Sequence, residues 1–339
     1  MIEPIKRSGF PLPPRGWPLV ALLAVFILAG LIGHDPWKND DAVTIGVVAD
    51  MLQRGHWLAP HLANRPYPDA PLYYWSAAVT GFAFSWLLPL HDAIRLASGF
   101  WVALILFLLY RAGREWHCNE EAPHEFAIAS VLAMAGCLGF LVHAHEAQPM
   151  LVALAGHAAA YWALALLPRK PQRAAIIFGL GLGLGFLGNG LAAMLTLLPV
   201  ALIALWLAKD RTQSGSSLLL GALLGAAIAT PWPILLAAFQ ADYFAVWLAS
   251  ELVQFGKPAN IAHTAWTYVS MVPWFAWPAL PLALWTLRSK RRMLREPAYL
   301  MPILATLAAW LTLSVTFEAR SSSALLLLPP LALLAAPGV

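Results

Sequence analysis

The sequence predicts an all-α, polytopic transmembrane protein of about ten spans. Three observations predict it. Of 339 residues, 60% are hydrophobic and only 11% charged, more apolar surface than a water-soluble core needs. Apolar segments recur along nearly the whole chain. The basic residues cluster in short loops between those segments, as cytoplasmic loops of membrane proteins do. That clustering accounts for the net charge of +4, so no nucleic-acid partner is expected.

Residues 1–16 are basic and Pro-rich, with Lys6, Arg7 and Arg15 and no A-x-A cleavage pattern. They read as a cytoplasmic tail before an uncleaved first helix. Residues 17–33 form the first span, which leaves residues 34–75 outside, in the periplasm if the membrane is a bacterial inner membrane. Residues 72–90 are long enough to cross. Crossing, however, would place Arg111, Arg114 and the later basic loops outside. A helix that lies on the outer surface or re-enters restores the charge pattern. Residues 94–110 then run inward, 126–142 outward and 149–167 inward to Arg169, Lys170 and Arg173. Residues 174–188 run outward and 191–207 inward to Lys209 and Arg211. Residues 218–236 run outward, 266–287 inward to the basic stretch 288–295, 298–317 outward and 324–336 inward. Residues 240–263 form a second large outer loop. Cys118 and Cys137 lack metal-ligand spacing and fall in a cytoplasmic loop and a span, so no disulfide is expected.

This topology sends the outer polar residues to one place. The longest polar piece is residues 40–75, DDAVTIGVVADMLQRGHWLAPHLANRPYPDAPLYYW. Asp40 and Asp41 suit the first turn of a helix. Ile45, Val48, Met51 and Leu52 follow at helical spacing, and Gly55 stops a helix of about four turns lying at the membrane surface. Trp57, Tyr67, Tyr74 and Trp75, set among prolines, make a stiff aromatic run suited to the bilayer interface.

The order acid-acid, Met51-Leu52, Gly55, Trp57, Pro60, Leu62, Pro66-Tyr67, Pro71-Leu72 and Tyr74-Trp75 resembles the first external loop of GT-C membrane glycosyltransferases. It is most similar to that of lipid A 4-amino-4-deoxy-L-arabinose transferases and their protein O-mannosyltransferase relatives. The resemblance implies juxtamembrane helices in this loop. It also implies a general base at Asp40, the first acid of the pair, with Asp41 as a supporting acid where the family usually has Glu. A carboxylate at the membrane surface can take the acceptor hydroxyl's proton as the new bond forms. Read from the residues alone, both acids simply cap a surface helix.

His143, His145, Glu146 and Gln148 form a polar knot between two spans. Such residues are costly at membrane depth and often functional, though a helix-end cluster facing water is the plain alternative. No metal is expected, because His-x-His-Glu brings no further specified ligands, and no cofactor. By the resemblance, Gln148 stands where the family has a second acid, with Glu146 two positions earlier as a substitute. Asn189, between Gly188 and Gly190, replaces one family Lys, and Asp69 replaces another. Lysines there would pair with the donor phosphate. Arg95, Arg320 and Lys257 remain as phosphate contacts, with snorkelling to the headgroups the alternative for Arg95.

In the second outer loop, Phe244, Trp247 and Leu248 suggest another surface helix. Glu251, Gln254 and Phe255 resemble the family's Glu-His-x-x-Arg-Phe without its His and Arg, implying a lid or acceptor-side element. An interfacial anchor is the alternative. Gly179, Gly181, Gly183 and Gly185 alternate within a span, which indicates close helix packing rather than a phosphate loop. The resemblance runs to Val339, whereas relatives continue into further spans and often an outer soluble domain. Residues 17–339 are thus expected to be a transferase-like membrane module without that domain, either as a fragment of a longer protein or as a shortened protein.

The function implied is an inner-membrane glycosyltransferase, inverting and multi-pass, with its site facing the periplasm. Its partners are a polyprenyl-phosphate sugar donor and a membrane-lipid or envelope-glycan acceptor such as lipid A. Two rivals remain. A lipid-linked-sugar transporter would place polar groups near mid-span. A non-catalytic protein of the same fold would be consistent with the replaced lysines and second acid.

Overall fold

Helices, most of them apolar, make up most of the described residues. The structure is a computed structural model and describes residues 16–36, 39–256, 261–316 and 320–339. Most of the expected N-terminal tail, and Lys257, lie outside the described residues.

The chain opens with α1 (Trp17–Leu28) and α2 (Asn39–Arg54). A hairpin of two short strands follows, β1 (His61–Leu62) and β2 (Arg65–Pro66), pairing His61 with Pro66 and Leu62 with Arg65. Its turn residues, Ala63 and Asn64, both have positive φ, as a two-residue hairpin turn with the twist of its strands requires. Next come α3 (Leu72–Phe84), α4 (Leu90–Trp116), α5 (Pro123–Gly136), α6 (Leu138–His143), α7 (Met150–Leu166) and α8 (Pro171–Leu207). The remainder is α9 (Arg211–Ala229), α10 (Pro231–Phe239), α11 (Ala241–Gly256), α12 (Ile261–Phe275), α13 (Ala279–Ser289), α14 (Pro297–Thr316), α15 (Ser321–Ala324) and α16 (Leu328–Ala335).

Helix α2 has the four-turn length expected, with Asp40 and Asp41 in its first turn. Gly55, at φ 76°, ends it. Val47, Val48 and Met51 are buried while Gln53 and Arg54 are exposed, as an amphipathic helix on a surface should be. Helix α3, with 13 residues, rises only about 20 Å, too short to cross a bilayer. It packs on α4, where Tyr73 meets Ser98, Ser76 meets Trp101 and Gly81 faces Ile94. A surface or re-entrant helix is what the charge pattern required here.

Helix α8 reverses within its own length. Asn189 (φ −157°, ψ 31°) and Gly190 (φ 64°, ψ −153°) break the helical geometry. A Cβ on Gly185 would lie 3.8 Å from that of Ala193, whereas residues eight apart in a straight helix are separated by about 12 Å. Gly181 and Gly185 meet Gly156 of α7, and Thr196 of the second half bonds His157 of α7. Both halves therefore lie against one level of α7, antiparallel to each other. The glycines permit the approach: a Cβ on Gly181 would lie 2.7 Å from the carbonyl oxygen of Gly156. Close packing is thus the observed use of this glycine run.

Among the described residues, five stretches are long and apolar enough to cross a membrane: Leu90–Trp116, Pro171–Leu207, Arg211–Phe239, Pro297–Val315 and Ser321–Gly338. Trp17–Leu28 and Met150–Leu166 are shorter apolar helices. The sequence led us to expect about ten. The expected segment 126–142 is split at Cys137, whose backbone is extended (φ −63°, ψ 123°), and 266–287 is divided between α12 and α13. Segments 174–188 and 191–207, conversely, merge into α8. Both cysteines are free thiols.

Candidate functional site

At one end of the bundle the beginnings of α2 and α4 meet the turn between α6 and α7. Asp41 and Arg95 are both fully buried there. Arg95 donates from Nη2 to Asp41 Oδ2 at 2.6 Å and from Nε to Oδ1 at 3.2 Å. Its Nη1 donates to the His34 carbonyl at 2.7 Å and to Asp92 Oδ1 at 3.2 Å. The backbone N–H of Ala147 also donates to Asp41 Oδ1, at 2.7 Å, and that of Gly33 to Asp92 Oδ2, at 3.0 Å. One guanidinium thus ties α2, α4 and the segment after α1 together, and Asp41 adds the 143–148 turn. Every charge in the cluster is answered, which buried ions require.

Helix geometry separates the paired acids. Successive residues point about 100° apart, so with Asp41 inward its neighbour Asp40 is exposed. Burial pushes the Tyr67 hydroxyl up to about 12, with the charges of Asp69 and Asp40 adding to it and Arg320 opposing them. Asp40, Asp69, Tyr67 and Arg320 therefore share one electrostatic neighbourhood. Burial likewise raises Asp69, against the hydrogen bond that Tyr74 donates to its Oδ2 at 2.7 Å. Tyr74 and its edge-to-face neighbour Tyr67, with ring centroids 6.4 Å apart, thus belong to the surroundings of Asp69.

The 143–148 turn is built into the same end. Ser98 donates to the Glu146 carbonyl at 2.6 Å. Its proton is thereby committed, so Tyr73 is the donor in the 2.6 Å contact with Ser98 Oγ. Glu146 and Gln148 are buried. His145 sits between the Leu141 carbonyl at 2.9 Å and the Phe26 carbonyl of α1 at 2.7 Å. His143 contacts Ser321 at 3.4 Å, which brings the segment following Arg320 to this turn.

Helices α10 and α11 close over the segment between α2 and α3. Helix α11 was expected from Phe244, Trp247 and Leu248, and these side chains pack against Phe186, Trp232 and Tyr243. Tyr243 donates to the Tyr67 carbonyl at 2.6 Å, and Trp232 to the Leu58 carbonyl at 2.9 Å. Trp75 donates to the carbonyl of Trp57 at 2.6 Å, while the Trp57 ring itself is exposed. Glu251 is buried against the α8 reversal and accepts from the N–H of Leu191 at 2.9 Å. Burial pushes its carboxyl up to about 7, opposed by that N–H and reinforced by Asp69. Asn189 is half-buried beside it. Gly190 leaves no room for a side chain, because a Cβ would meet the Glu251 carboxylate.

The structure therefore gathers Asp40, Asp41, Arg95 and the 143–148 turn directly, and brings Tyr67, Asp69, Glu251 and Arg320 into reach electrostatically. Arg95 does not snorkel. It is enclosed and committed to two aspartates. Sequence reading missed Asp92, Ser98 and Tyr73. The first two carried a signal, because Asp92, Arg95 and Ser98 are spaced by three on α4 and so share a face. Among the described residues no group of three His, Cys, Asp or Glu is arranged to hold a metal ion.

No protein-family model matches the chain. It is 27% identical over 340 residues to the undecaprenyl phosphate-alpha-4-amino-4-deoxy-L-arabinose arabinosyl transferase of Pectobacterium atrosepticum, with 94% of this chain aligned. It is 26% identical to the enzyme of that name from Aeromonas salmonicida, again over 94% of the chain. The chain spans 58% and 59% of the length of these two relatives. Among solved structures, ArnT from Cupriavidus metallidurans bound to undecaprenyl phosphate superposes with a TM-score of 0.80 at 17% identity, covering 95% of this chain and 59% of that one. The archaeal oligosaccharyltransferase AglB from Archaeoglobus fulgidus superposes with a TM-score of 0.60 at 12% identity, covering 94% and 50%. The chain is thus similar along nearly all of its length to the membrane arabinosyl transferases that its first loop resembles, and it shares the multi-pass helical fold of ArnT.

Proposed function

We propose that this chain is the membrane module of a glycosyltransferase. It moves a sugar from a polyprenyl-phosphate donor to lipid A or another envelope acceptor, on the periplasmic side of a bacterial inner membrane. The observation that carries the reading is the sorted acid pair: Asp41 buried on Arg95, Asp40 exposed beside it, in a fold shared with ArnT bound to undecaprenyl phosphate.

In this reading the acceptor hydroxyl attacks the anomeric carbon as the bond from that carbon to the donor phosphate oxygen breaks. The phosphate leaves with the bonding electrons, and Asp40 takes the hydroxyl proton. Attack opposite the leaving group inverts the anomeric centre. Asp41 fixes the start of α2, so Asp40 is held at one position. Arg320 receives the developing phosphate charge, while Arg95 acts through Asp41. Glu146, Gln148, Asn189 and Glu251 orient the two substrates, and His145 anchors their turn to α1. Trp57, Tyr67, Tyr74 and Trp75 form the support under them.

The antiparallel halves of α8 favour counting them as two passes. With that count we read a topology of about ten passes, an inside N-terminus and Asp40 outside. The test is mass spectrometry of envelope glycolipids in cells carrying Asp40→Asn. Transfer is expected to fall by about 10²–10⁴ with protein levels unchanged. Equal transfer by wild type and variant would make Asp40 a helix cap and end the proposed chemistry.

A further inference from the structure

A second site lies at the opposite, basic end of the bundle. Arg111 follows Arg95 on α4 by sixteen residues, about 24 Å along the axis. There a cavity of ≈ 180 Å³ opens between α4, the end of α7 and the start of α8. At about 30 Å³ per liquid water, that is ample space for one phosphate group. Arg111, Glu115, Trp162, Lys170, Arg173 and Ile176 are among the residues lining it.

The charges do not balance. The guanidinium of Arg111 stacks over the Trp162 ring at 4.5 Å from its centroid, which positions the group but leaves its charge in place. Glu115 is the one acid in the lining, and Arg169 from outside it holds that carboxylate at 2.8 Å and the Glu115 carbonyl at 2.9 Å. Three cations thus converge on a cavity whose carboxylate is already matched. The α8 N-terminus, with Pro171 in its first turn, adds its positive dipole end.

The walls discriminate between sources of the anion. Free phosphate needs no apolar surface. Here Ile176 and Leu180, one turn apart on α8, are 53% and 47% exposed and lead from the cavity along the helix. We propose that this cavity binds the phosphate of an anionic phospholipid, its acyl chains lying along the Ile176–Leu180 side of α8. Basic pockets between helix ends suit such headgroups.

The test uses the purified full chain in detergent, titrated with phosphatidylglycerol, with phosphatidylcholine or with inorganic phosphate. Bound lipid is counted by native mass spectrometry and thermal midpoints are followed. Phosphatidylglycerol should bind and raise the midpoint, and the other two should not. Lys170→Gln/Arg173→Gln removes two exposed side chains, so folding without lipid should be unaffected. Its apparent affinity should fall about thirtyfold, two surface charges at roughly 1 kcal/mol each. Arg291→Gln/Arg292→Gln, in the other basic loop, should leave affinity within about twofold, since those charges lie outside the cavity lining. Equal losses in the two double variants would mean diffuse surface attraction and overturn the site. A midpoint rise with inorganic phosphate alone would make it a free-anion site and overturn the lipid assignment. Absence of phosphatidylglycerol binding to wild type would do the same.

Discussion

Asp41 and Arg95 form a buried two-point ion pair, 2.6 Å and 3.2 Å long, between residues 54 positions apart. No solvent reaches either side chain. Removing one partner therefore strands the other charge in a dry interior.

Arg95→Leu should destabilise the protein by about 3–5 kcal/mol, the usual cost of leaving one buried ion uncompensated. The double variant Asp41→Asn/Arg95→Leu should recover part of that loss. Unfolding by denaturing detergent, read as a double-mutant cycle, checks it. Additive losses would mean that the pair contributes nothing as a pair.

The two acids should fail differently. Asp40→Asn should reduce transfer while the thermal midpoint stays within the surface-substitution range of about ±0.5 kcal/mol. Asp41→Asn should lower stability first, with activity following the folded fraction. Parallel glycolipid assays and thermal scans of the same preparations separate these outcomes. A pair of variants that lose both properties equally would contradict the division.

Glu251 should make the docking of α11 pH-dependent. Its folded carboxyl titrates near 7, above the 4.5 of an unperturbed Glu. Between those values the folded state binds more protons than the unfolded one, so stability falls as pH rises. The contribution is fully present below about 4.5 and gone above about 7, with a size of up to about 3 kcal/mol. Hydrogen exchange of the Leu191 amide, measured from pH 5 to 8 and corrected for intrinsic rate, should show weaker protection at the alkaline end. Glu251→Gln keeps an acceptor for that N–H and should flatten the profile.

Gly190→Ala should be harmful beyond its size. The residue sits at φ 64° and its missing side chain faces the Glu251 carboxylate. Left-handed backbone alone costs a non-glycine residue about 1 kcal/mol or more, and displacing a buried carboxylate adds to it. A thermal midpoint lowered by several degrees is expected, with partial recovery in Gly190→Ala/Glu251→Ala.

Sidedness can be read with single cysteines in a chain lacking Cys118 and Cys137. Trp57→Cys and Lys170→Cys replace exposed residues. A membrane-impermeant maleimide added to intact spheroplasts should label position 57, and position 170 only after permeabilisation. The reverse pattern would invert the topology.

How much of this was legible depended on range along the chain. The α2 helix, its acidic first turn and its Gly55 stop are local and were readable from spacing and punctuation. Charge bookkeeping over the later loops led to an α3 that does not cross the membrane, and its 13 residues are short for a crossing. The glycine run was readable as packing because no phosphate-loop context surrounded it. The partner of Asp41 was not readable, because Arg95 is reached only through the fold. The role of Glu251 as a cap was hidden for the same reason: its contact with Leu191 crosses 60 residues. Asp92 was overlooked although its spacing from Arg95 is helical. The sequence also hid the backbone breaks at Cys137 and between Phe275 and Ala279, because they fall inside continuous apolar stretches.

The reversal of α8 also orders events in time. Its second half begins at a backbone N–H whose acceptor, Glu251, is synthesised about sixty residues later. At ribosomal speeds of about 5–20 residues per second, the hairpin exists for several seconds with that donor bonded only to water or headgroups. Only when α11 emerges and folds back over the loop is the turn sealed. The hairpin can therefore form early and is finished late, once α11 has been made.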